Sequence, residues 1–207
     1  MTRTTIAAAL VVLTVLAGCI PPRPSPTPPP AASAAPTASP DRTASGTFPT
    51  APASPAVAVD PSLLDLLPDT VGGVPLESDE ATAAEVAGEQ SIAPFISALA
   101  VAAAFGPPST DTPDYVVVTV ARLKPGLFGD LFYRGWRDTF DAAVCEQAGG
   151  VAGHAEAEIG GRQTFIGTCA GRVHTYHVAL PDQDVIVSLQ GTGDRRFGER
   201  VVEGLTG

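Results

Sequence analysis

Asparagine is absent from the 207 residues, Lys124 is the one lysine, and methionine and tryptophan occur once each. Without asparagine the chain has no N-glycosylation acceptor, and its positive charge rests on arginine, a bias in keeping with a GC-rich genome. Positive charge is itself scarce, with 12 Lys plus Arg against 22 Asp plus Glu and a formal net charge of -10. Such an excess disfavours nucleic acid and the anionic membrane surface as partners, because both require clustered cations. Long apolar runs are missing too. The two longest, residues 6–17 and 92–105, fall short of the roughly 20 residues that cross a bilayer. Nucleophile and phosphate motifs are also lacking: the chain has no G-x-S-x-G, S-x-x-K, H-E-x-x-H or P-loop, and no cofactor signature.

What is present begins at the amino terminus. Arg3 precedes the apolar run 6–17, a length that suits the core of an export signal, and the run leads into Leu16-Ala17-Gly18-Cys19. This motif resembles the lipobox of bacterial lipoproteins, in which leucine and two small residues precede a cysteine. The resemblance covers only the targeting segment. It implies that residues 1–18 are removed and that Cys19 receives a diacylglyceryl group on sulfur and becomes the first residue. The expected location is the bacterial cell membrane, with the protein anchored through acyl chains and facing the extracytoplasmic side. Two or more acyl chains anchor stably where one does not.

Residues 19–59 follow as a proline-, alanine-, serine- and threonine-rich tether, with seven prolines between Pro21 and Pro30 and five more by Pro55. Such a composition cannot repay its ordering entropy and favours an extended spacer, about 3.1 Å per residue. Residues 60–207 are then the size of one domain. They hold 9 of the 12 basic residues, all but Arg3, Arg23 and Arg42, and 21 of the 22 acidic ones, all but Asp41.

Within this domain the patterning predicts an α+β fold. A short turn is expected over 61–67, broken by Val71-Gly72-Gly73-Val74-Pro75. A helix is expected over 79–89, and a second, apolar one, capped by Ser91, over 92–105. Residues 114–123 read as a central strand. Asp130 is expected to cap a helix running to Gly149-Gly150, with Arg134/Asp138 and Arg137/Asp141 spaced for ion pairs. Four strands, 154–159, 163–169, 172–180 and 184–190, are separated by turn signals, and Asp194 opens a terminal helix. The expected architecture is an antiparallel sheet, this four-stranded meander plus the central strand, covered on one face by helices.

Chemistry requires polar residues that can meet. His154, Glu156 and Glu158 share a strand face at the i, i+2, i+4 spacing of a metal set, but alternation with Ala155, Ala157 and Ile159 fits a solvated outer face better. His174 and His177 fall on opposite faces of a strand. Gly191-Thr192-Gly193-Asp194 and the Asp182/Asp184 pair read as turns rather than phosphate or calcium loops. No metal and no cofactor is therefore assigned. Cys145 and Cys169, the cysteines left once Cys19 is acylated, are expected to form a disulfide in an oxidising compartment.

Phe132, Trp136, Phe140 and Ala143 form one helical stripe, read as core. The preceding loop offers Leu127 and Phe128, expected at the lip of a pocket with Tyr133 on its wall, as a partner-binding site. The functional expectation is a non-catalytic envelope lipoprotein whose acidic domain binds a protein, glycan or small molecule. The alternative is a hydrolase-like enzyme assembled from dispersed residues such as His154, Glu156, His174 and Asp184.

Overall fold

A computed structural model describes residues 56–107 and 113–207; the lipobox, Cys19 and the tether up to residue 55 lie outside these described residues. The fold is mixed α and β. Its strands are β1 (Ala58–Val59), β2 (Thr70–Val71), β3 (Val74–Pro75), β4 (Glu77–Ser78), β5 (Ile96–Phe105), β6 (Tyr115–Leu123), β7 (Val151–Ile159), β8 (Arg162–Cys169), β9 (His174–Leu180) and β10 (Val185–Thr192). Its helices are α1 (Glu80–Ala87), α2 (Asp130–Glu146) and α3 (Phe197–Glu203), with a 3-10 turn at Pro61–Leu66. The main sheet runs in the order β1-β5-β6-β10-β9-β8-β7, with β4 also paired to β5, while β2 and β3 form a separate hairpin. Its pairings are antiparallel except β1 with β5. Ala58 and Val59, placed at the end of the tether by composition, thus belong to the sheet.

Local chemistry explains several elements. Asp79 caps α1 by accepting from Thr82 N at 3.0 Å and Thr82 Oγ1 at 2.8 Å. Gly160 and Gly161, at φ 58° and 76°, make the two-residue turn between β7 and β8, where positive φ at both positions matches the twist of the strands. Two expected caps are corrected. Gly129 occupies the position before α2, so Asp130 is its first residue and contributes only favourable charge to the first turn. Helix α3 starts at Phe197 after Arg196, which leaves Asp194 outside it and exposed, within 4.0 Å of Arg172.

The largest correction concerns residues 92–105. They are not an apolar helix: residues 96–105 are β5, and the chain from Ser91 to Phe95 is turn. A strand buried on both faces reads as a continuous apolar run, and periodicity cannot separate it from a buried helix. Ala98, Ala100, Ala102 and Ala104 point to one core and Leu99 and Val101 to the other. Tertiary burial overrides the helical preference of alanine.

The helices do not cover one face alone. Val116, Val118, Val120, Tyr176, Val178, Val187 and Leu189 pack with Phe197, Val201 and Val202 of α3 and with Leu63 and Leu67. On the opposite face Ile96, Leu99, Val101, Leu123 and Ile186 pack with Ala83 of α1 and with Phe128, Phe132, Tyr133 and Trp136. Helix α2 connects β6 in the middle of the sheet to β7 at its edge, so it crosses this second face against β7, β8, β9 and β10. That crossing places the site.

Candidate functional site

The buried stripe of α2 is not the one its aromatics suggest. Asp141 and Cys145 are its buried residues, whereas Phe132, Trp136 and Phe140 are half-buried and Ala143 is exposed. The sheet flanks the Asp141 side, and there Cys145 bonds to Cys169 at the end of β8, with Cα atoms 5.1 Å apart. Closing this loop is worth about 3.5 kcal/mol on the chain-entropy account. The ion pairs expected along α2 do not form among the described residues, because Asp141 and Arg137 both turn toward the strands.

Asp141 is the hub of a buried polar chain. Its Oδ1 accepts from His177 Nε2 at 2.9 Å and from Thr175 Oγ1 at 2.5 Å, and its Oδ2 lies 3.1 Å from His154 Nε2. His177 Nδ1 is 2.9 Å from Ser188 Oγ, which also accepts from Trp136 Nε1 at 2.9 Å. Burial pushes the Asp141 carboxyl up, but the His177 and Thr175 hydrogen bonds, with the charges of His177 and His154, outweigh it and hold the group below its ordinary range. Gly167 makes the approach possible, since a Cβ there would lie 2.6 Å from Asp141 Oδ2. The Asp141, His177 and Ser188 order has the composition of a hydrolase triad, but its ring nitrogens are reversed, with serine on Nδ1 and carboxylate on Nε2. Ser188 is also fully buried beneath Trp136, so no substrate reaches its hydroxyl in this structure.

Beside this chain, toward the start of α2, lies an open groove of about 520 Å³ between the helix and the β7–β8 ribbon. Phe128, Tyr133 and Phe165 supply its apolar surface, and Arg134, Arg137 and Arg162 supply cations against Asp130 and Glu156. The Phe128 and Tyr133 rings stack at 6.3 Å. Arg137 lies over two rings, its guanidinium carbon 3.5 Å from the centroid of Phe165 and 4.9 Å from that of Tyr133. Burial pushes the Tyr133 phenol up to about 12, against the lowering charge of Arg137, so it remains a protonated donor. Phe165 also packs beside His154 and His177, with ring centroids at 5.2 and 6.3 Å, and so joins groove to polar chain.

The sequence-predicted residues divide sharply. Phe128 and Tyr133 line the groove, while Leu127 is half-buried in the preceding loop and is not among its lining residues. His154 and Glu156 share the α2 face of β7, but Glu156 accepts from Gln163 at 3.3 Å and Ala155 and Ala157 are as exposed as their polar neighbours, because β7 is an edge. His174, bonded to Thr168 at 3.3 Å, lies on the other face, and Asp184 sits in the turn before β10. The four residues of the dispersed enzyme reading do not converge. Among the described residues no three His, Cys, Asp or Glu side chains stand close enough to hold a metal ion, and no helix is long and apolar enough to cross a membrane.

Asp141, His177, Ser188 and Arg137 were missed. The one signal, for Asp141, was Cys145: a cysteine that bonds to a strand must face it, and Asp141, one turn earlier, must face it too. No family model, curated protein or solved structure matches the chain, so the site rests on its own geometry.

Proposed function

We propose that this protein is a lipid-anchored extracytoplasmic binding protein, carried on Cys19 and a proline-rich tether, whose acidic domain takes a ligand without transforming it. The observation that carries this reading is the groove between α2 and the β7–β8 ribbon: aromatic walls, a few convergent polar groups and about 520 Å³, within the range of small-molecule sites. The four C-terminal strands act as a meander on which α2 is clamped by Cys145–Cys169 and by Asp141. A disulfide fits an oxidising compartment, where an exported lipoprotein would fold. The helix and its clamps hold the groove open and rigid.

Two measurements test the reading. Detergent partitioning and intact mass of native protein should report an acylated Cys19, and Cys19→Ala should yield an unprocessed, unacylated product; a freely secreted, unacylated native form rejects the anchor. Replacing Phe165 with alanine should abolish ligand retention in the groove while the domain stays folded; unchanged retention rejects the groove. The enzyme alternative gains support only if a purified preparation turns over an ester or glycoside substrate and loses that activity with His154→Ala.

A further inference from the structure

Resting on the groove as the binding site, we infer that its ligand is a small anion: a carboxylate or phosphate monoester joined to a flat apolar ring. The domain carries twelve more acidic than basic residues, yet the groove reverses this local balance, with Arg134, Arg137 and Arg162 against Asp130 and Glu156. The lining thus carries one more cation than anion, which favours a negatively charged ligand.

Arg137 is the centre of the argument. Two aromatic rings hold its guanidinium at the groove wall, and no carboxylate among the described residues pairs with it. Its planar donor fork matches the paired oxygens of a carboxylate or phosphate, and the rings have already removed the rotamer freedom that binding would otherwise cost. Arg162 is partly committed, donating to the carbonyl of Gly207 at 2.8 Å, and serves the rim. The stacked Phe128 and Tyr133 rings offer a face to the flat part of the ligand.

The test uses the full-length protein in detergent with its disulfide intact. Trp136, the single tryptophan, stands one residue from Arg137 and reports by fluorescence, with calorimetry as a second reading. Phenyl phosphate and benzoate should bind saturably and show which anion is preferred. Benzyl alcohol, which lacks the charge, and inorganic phosphate, which lacks the ring, should each bind about tenfold weaker or less. Arg137→Gln should weaken phenyl phosphate by about tenfold or more, and Arg137→Lys should recover only part of this, because an ammonium lacks the fork. Arg172→Gln, remote and exposed, should change nothing. If Arg137→Gln fails to fold, Arg134→Gln in the same titration should weaken the anion and leave benzyl alcohol unchanged. Equal binding of benzyl alcohol and phenyl phosphate overturns the anion class and leaves the groove standing. Absence of binding by every probe overturns both.

Discussion

The two faces of the sheet are held by different physics. Around α3 the core is apolar, with Phe197, Val201 and Val202 packed mainly on β9 and β10 in a cluster that also holds Val178, Val187, Leu189 and the small alanines of β5. Against α2 a carboxylate sits at the centre, tied to two strands, to β9 through Thr175 and His177 and to β7 through His154, with the disulfide one turn away. An apolar contact is non-directional and tolerates sliding, whereas a carboxylate with three partners has one position. The first face supplies cohesion. The second specifies where α2 lies, and hence the shape of the groove beside it.

This contrast can be broken from either side. Asp141→Ala should cost about 3–5 kcal/mol in urea unfolding, because it orphans two buried donors on β9, Thr175 and His177. Phe197→Ala should cost a comparable amount, about 3–5 kcal/mol, by cavity formation alone. Removing the disulfide with Cys145→Ser and Cys169→Ser together should cost about 3.5 kcal/mol. The groove should then lose affinity more than in Phe197→Ala, as α2 loosens at its far end. A Phe197→Ala variant that loses ligand more severely than the disulfide variant would contradict the division of labour between the faces.

Acid sharpens the difference. The folded-state pKa of Asp141 is depressed, so its contribution is complete above the unfolded carboxylate value near 3.9 and is lost as pH falls through the lower folded value. The deficit of Asp141→Asn relative to wild type should therefore narrow on acidification below about pH 4, while the deficit of Phe197→Ala stays level. Parallel pH profiles for the two would show that the Asp141 carboxyl titrates alike in the folded and unfolded chain, so that its partners do not depress its pKa. The smallest effect is expected at Leu131, which is 84% exposed on α2: Leu131→Ser should shift stability by no more than about 0.5 kcal/mol.

Much of the outline was legible in the residues. The valines of β6 alternate, Asp79 announces the start of α1, and Gly160-Gly161 marks a turn, each a property of a few neighbouring positions. Phe128, a large apolar side chain beside glycines and a proline with no periodic reason to be core, was expected at a pocket lip, with Tyr133 beside it at the helix start, and both line the groove. Leu127 carries the same signal but is absent from the groove wall; a loop has no period to say which of two adjacent residues turns inward.

What the sequence by itself determined was therefore local: turn chemistry, a helix cap, strand alternation and the availability of Cys145 and Cys169 for one bond. Only the tertiary structure decided that 96–105 is a strand, that helices lie on both faces, that Asp141 points inward and that Arg137 lies against two rings. The reason is physical. An alanine-rich run takes the conformation that buries both its sides, and a charged side chain enters a core only where partners from distant strands offset its desolvation. Neither condition is visible to residues a few positions apart.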